Sequence, residues 1–88
     1  MVNWALVFSR DAEKDAKYLA AAGLRKKAEQ LLAVLAKDPF QNPPPFEKLK
    51  GDFEGAYSRR INIQHRLVYQ VVKKDRVVKV LRLWSHYD

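Results

Sequence analysis

Apolar and polar positions alternate with two different periods along the chain, and the changes of period mark its elements. Val2 to Phe8 is short and rich in β-branched and aromatic residues, which predicts a strand. Ser9 then offers an N-cap, and Asp11 and Glu13 suit the positive end of a helix dipole. Ala12, Ala16, Leu19 and Ala20 recur at helical spacing up to Gly23, a natural stop. Leu24, Ala28, Leu31, Leu32 and Leu35 form a second helical stripe, with Arg25, Lys26, Lys27, Glu29 and Gln30 turned away. Pro39 ends that helix, so the two helices make a hairpin with a very short turn.

Residues 39–46, Pro-Phe-Gln-Asn-Pro-Pro-Pro-Phe, exclude both helix and central strand, because proline lacks an N–H and restricts the residue before it. They read as a stiff extended loop within one domain. A turn at 51–55 introduces three strand-like runs, 56–62, 65–72 and 76–84, joined by connections short enough for antiparallel hairpins. The order β-α-α-β-β-β is an α+β fold: a twisted, mainly antiparallel sheet with a helical hairpin on one face. The 88 residues fit one domain, 1–88, and no more.

Charge adds a functional direction. Seventeen Lys and Arg stand against ten Asp and Glu, a formal net charge of +7. Residues 1–45 hold seven basic and five acidic residues, whereas 46–88 hold ten and five, so the excess lies in the strand-rich half. A concentrated basic excess is the footprint of a polyanionic partner. The absence of cysteine removes disulfides and thiolate chemistry and agrees with a reducing cytoplasm. The apolar start is too short for a signal-peptide core, and no run approaches the ~20 apolar residues of a membrane span. A cytoplasmic protein without a membrane partner is expected.

Three scattered glycines make no phosphate-cradling loop, and two histidines without cysteine give no metal-site pattern. Ser58 and Ser85 lie in no nucleophile-elbow context. What remains is an ionisable set in the basic half: Glu47, Lys50, Arg59, Arg60, Arg66, Arg82, His86 and Tyr87. Cleaving RNA without a cofactor or metal needs a base for the ribose 2′-OH, a cation for the phosphorane and an acid for the departing 5′ oxygen. A Glu, an Arg and a His supply these functions near neutral pH.

Glu47-x-Leu49-Lys50, Tyr57-Ser58-Arg59-Arg60-Ile61, His65-Arg66-Leu67-Val68-Tyr69 and the ending His86-Tyr87 together resemble the YoeB/Txe branch of the RelE-like toxins. The helical hairpin before them fits that fold, so the resemblance spans essentially the whole chain. It implies a toxin that cuts mRNA in the A site of the 70S ribosome and is held inactive by an acidic, YefM-like antitoxin. It also implies operator DNA binding only together with the antitoxin, and allows a homodimer. By resemblance, Glu47 is the general base, Arg66 stabilises the transition state and His86 is the general acid. Lys50, Arg60 and Tyr87 orient the phosphate and bases. The proline-rich run stands where the family carries a Gly/Lys-rich loop, and Asp88 follows the usual His-Tyr ending.

Plainer readings apply to several of these residues. Arg59 and Arg60 are both candidate RNA contacts, but strand alternation sends them to opposite faces, and the resemblance picks Arg60. Arg82 is a further candidate RNA contact from the last strand. His65, at the start of a strand, suits a structural hydrogen-bonding role. Alternation sets Arg66 opposite Leu67, Tyr69 and Val71, yet Val68 and Val72 share its face, so pattern alone leaves the core side open. Two other functions fit the same fold: a gyrase inhibitor of the ParE type, which needs no Glu47/Arg66/His86 set, and a DNA-binding co-repressor acting with its antitoxin.

Overall fold

A computed structural model of the chain describes residues 4–51 and 54–85, with side chains through Leu83. The elements are β1 (Ala5–Phe8), α1 (Arg10–Ala21), α2 (Arg25–Lys37), β2 (Glu47–Lys48), β3 (Ala56–Arg60), β4 (Arg66–Val72) and β5 (Val77–Ser85). They form one five-stranded sheet in the order β1-β5-β4-β3-β2. Every neighbouring pair is antiparallel except β1 and β5, which run parallel. This is the expected α+β architecture with one strand added. The two-residue β2 lies just past the proline-rich loop, where the sequence offers no alternation long enough to announce it.

The helix boundaries follow from capping. Ser9 Oγ accepts the Ala12 N–H at 3.0 Å, closing the first turn of α1. At its other end the Gly23 N–H donates to the Ala20 carbonyl and the Leu24 N–H to that of Leu19, a Schellman turn that needs the positive φ (76°) of Gly23. Ala12 and Leu19 from α1, with Ala28, Leu31 and Leu35 from α2, bury against Leu67, Tyr69, Val78, Val80 and Leu83 of the sheet. The open question about β4 is thereby answered: Leu67 and Tyr69 join the helix-facing core, and Arg66 and Val68 lie on the other face, Val68 also buried.

Strand β5 is bulged. Tyr69 pairs with Val80, Val68 with Arg82 and Arg66 with Ser85, so β5 takes five steps where β4 takes three. Extra residues leave backbone groups outside the ladder, and the start of the helical hairpin takes them up. Ser9 Oγ donates to the Leu81 carbonyl at 2.8 Å. Asp15 Oδ2 accepts the Leu83 N–H at 3.0 Å and Arg82 Nε at 2.8 Å, and its Oδ1 accepts Arg82 Nη2 at 3.2 Å. Asp15 is 3% exposed. It occupies the position on the α1 stripe that the sequence reading gave to Ala16, which is exposed.

The loop between α2 and β2 is folded down by side chains. Phe40 and Phe46 meet Tyr57 edge-on at 5.4 and 5.8 Å between ring centroids. The Tyr69 hydroxyl donates to the Pro39 carbonyl at 2.8 Å. Arg59, 1% exposed, donates Nη2 to the Pro39 carbonyl at 3.0 Å and Nη1 to that of Pro44, with its guanidinium 5.0 Å from the Phe46 ring centroid.

Candidate active site

Residues directly opposite one another across neighbouring strands share a face, and this rule assembles the site. Glu47 of β2 lies opposite Ser58 of β3, and Arg60 of β3 lies opposite Arg66 of β4. Arg66 in turn lies opposite Ser85, the residue before His86. Three strands thus bring Glu47, Ser58, Arg60 and Arg66 to one side of the sheet, away from the helices. With Pro45 they line an open pocket of about 250 Å³.

Arg66 is its centre. Nη1 donates to Glu47 Oε2 at 3.0 Å and to Ser58 Oγ at 3.3 Å, so one guanidinium nitrogen is held between a carboxylate and a buried hydroxyl. The Glu47 side chain is 66% exposed and that of Arg66 20%, so the carboxylate is reachable from solvent while the cation is set into the wall. A carboxylate that accepts protons, beside a cation that binds phosphate, is a pairing suited to phosphodiester chemistry. Arg60 is exposed at the rim and extends the positive surface. Ser58 is the pocket residue that the sequence reading passed over. Its role depends on the register with Glu47, which becomes visible only once β2 is known.

The remaining candidates are placed differently. Lys50 is exposed past the end of β2 and lines a neighbouring hollow with Lys48, Glu54 and Tyr57 rather than the Arg66 pocket. Arg59 does not serve as an RNA contact: its guanidinium is buried on the opposite side of β3, bonded to loop carbonyls. Arg82 is also turned from the pocket, because the β5 bulge delivers it to Asp15 as a bidentate ion pair. His86 and Tyr87 lie outside the described residues. His65 is 4% exposed in the β3–β4 turn, where its backbone N–H donates to Asn62 Oδ1 at 2.7 Å and its backbone carbonyl accepts from Ile61. Among the described residues no three His, Asp or Glu side chains gather as a metal site requires, and no helix is long and apolar enough to cross a membrane.

The Tyr69 phenol shows a displaced ionisation. Burial raises the Tyr69 phenol above its ordinary value of 10.0, and the neighbouring Arg59 opposes that rise in part. Tyr69 lies under the loop, on the helix side of the sheet, and is part of the support of the pocket.

Residues 8–87 match the family model described as a YoeB-like toxin of bacterial type II toxin-antitoxin systems. The toxin YoeB of Streptomyces coelicolor is 40% identical over 86% of this chain and 81% of its own. Among solved structures, the YoeB/ParE toxin of Agrobacterium tumefaciens superposes with a TM-score of 0.84 at 30% identity, covering 94% of this chain and 99% of that one. The YoeB–YefM complex of Staphylococcus aureus contains a chain with a TM-score of 0.79 at 36% identity, covering 96% and 98%. Sequence and fold therefore agree, and this chain belongs to the YoeB-like toxins of bacterial type II toxin–antitoxin systems.

Proposed function

We propose that this toxin is a metal-independent endoribonuclease that cuts mRNA in the A site of the translating ribosome. The observation that carries the reading is the Glu47–Arg66 pair at 3.0 Å, set in a basic pocket on the open face of the sheet. Glu47 takes the proton of the ribose 2′-OH, and the freed oxygen attacks the adjacent phosphorus. Arg66, released from Glu47 as the phosphate enters, bears the charge of the phosphorane, and Ser58 holds its guanidinium in place. His86 protonates the departing 5′ oxygen, leaving a 2′,3′-cyclic phosphate and a 5′ hydroxyl. Arg60, Lys50 and Tyr87 orient the strand. DNA, which lacks the 2′-OH, is not cut by this route.

A YefM-like antitoxin is the proposed partner in the resting cell, as in the S. aureus complex. An acidic inhibitor complements the +7 chain, and operator DNA is bound through that complex. The site of action is the cytoplasm, where ribosomes translate.

Primer extension on mRNA in a reconstituted translation reaction tests this reading. Wild type should give ribosome-dependent cuts, and Glu47→Ala and His86→Gln should each lose roughly 10²–10⁴-fold in rate, the range of one proton-transfer group. Intact mRNA under conditions where translation or growth still stops would refute the nuclease reading in favour of a gyrase-directed or DNA-binding toxin.

A further inference from the structure

Arg59 poses a problem that the proposed chemistry does not answer. A guanidinium is kept 1% exposed, and among the described residues it forms no ion pair. Its Nε likewise makes no hydrogen bond among the described residues. Burying a cation without a carboxylate is unfavourable unless its donors are satisfied otherwise, and an apolar side chain of similar volume often stabilises a fold as well or better. What an apolar residue cannot do is reach two separate carbonyls with one rigid fork.

That is what Arg59 does. The loop from Pro39 to Phe46 is poor in backbone N–H groups because of its prolines, so its carbonyls need donors from elsewhere. Arg59 supplies them at Pro39 and Pro44, near the two ends of the loop, and its cation lies 5.0 Å from the centroid of Phe46 and 5.9 Å from that of Tyr69. Pro45, the next residue, is a wall of the pocket, and Glu47 follows two residues later. On β3 itself, Arg59 sits between Ser58, which holds Arg66, and Arg60, at the rim.

We propose that Arg59 is a positioning residue of this site: from the far side of β3 it clamps the proline loop at both ends and so fixes Glu47 against Arg66. The inference rests on the nuclease reading above and adds a residue that touches neither RNA nor the reacting atoms.

Two variants and two readouts test it. In Arg59→Met and Arg59→Lys, single-turnover cleavage on programmed ribosomes should fall roughly 30–100-fold, the scale of a displacement near 1 Å in a catalytic group. Affinity for the ribosome–mRNA complex should change by less than about threefold, since no RNA contact is removed. Amide exchange supplies the second readout. The Leu49 N–H, which bonds the Ala56 carbonyl at 2.9 Å beside β2, should exchange roughly tenfold faster, with β4 and β5 amides unchanged. Arg59→Lys keeps the charge without the fork, so it carries the test even if Arg59→Met fails to fold. Wild-type cleavage or wild-type Leu49 protection in a folded variant overturns this inference alone. A wild-type protein that leaves mRNA uncut on ribosomes overturns the nuclease reading and this inference with it.

Discussion

Tyr69 couples the support of the site to pH. Its hydroxyl is buried against the Pro39 carbonyl, and the fold holds its proton above the ordinary value of 10.0. Below that value the phenol is neutral in folded and unfolded chains alike, and its contribution to stability is fully present. Above it the unfolded chain releases the proton first, so stability falls as pH rises towards the folded pKa. Urea midpoints measured across the alkaline range should therefore decline more steeply for wild type than for Tyr69→Phe. Parallel declines would show that Tyr69 is not the group responsible. An ultraviolet titration should likewise show a late-ionising phenol that Tyr69→Phe removes.

Among the elements, the junction of α1 with β5 decides how the last strand runs. Asp15→Ala removes the acceptor for the Leu83 N–H and for Arg82, a loss of about 2–3 kcal/mol once the partial exposure of Arg82 is discounted. For a domain this small that corresponds to a melting temperature lower by roughly 10–20 °C. Asp15→Asn, which keeps a carbonyl for Leu83, should lose less, and a melting curve unmoved by Asp15→Ala would refute the assignment. The same junction shows what the sequence could and could not reveal. Both helices, the Ser9 cap and Gly23 stop of the first, and the three long strands were legible as apolar runs bounded by Ser9, Gly23, Pro39 or the short turns between strands. The opposite faces of Arg59 and Arg60 were legible too, by alternation alone. The bulge was not: Val78 and Val80 are buried at even positions and Leu83 at an odd one, a change of phase that reads equally as a strand apolar on both sides. Asp15 was passed over, and Arg59 was kept among the candidate RNA contacts, for a related reason. A buried charge looks like a surface charge until the donor or acceptor it serves, distant in sequence, is known.

For the whole molecule, the useful distinction is between charge that faces solvent and charge that is already committed. Arg59 and Arg82 count towards the +7 but are engaged inside the fold, whereas Arg60 is open at the pocket rim. Binding of a short single-stranded RNA to the Glu47→Ala protein should weaken linearly on a log–log salt plot, with a slope of roughly 0.7 per phosphate contacted. Arg60→Ala should reduce that slope by about one contact, and Arg82→Ala should leave it unchanged. Equal effects from the two would contradict this division of the positive charge.

The proline loop carries a consequence for the arrival of substrate. Pro39, Pro43, Pro44 and Pro45 narrow the conformations open to the unfolded chain, each by an amount of order 0.4–1 kcal/mol where the native geometry suits it. The entropy lost in ordering this segment is thus lost early, during folding, and partly in the unfolded chain itself. A lid that closes over its substrate takes that loss out of the binding free energy at every turnover. In the proposed nuclease the RNA would meet a wall already in place, and among the described residues the ion pair it displaces is that of Glu47 with Arg66.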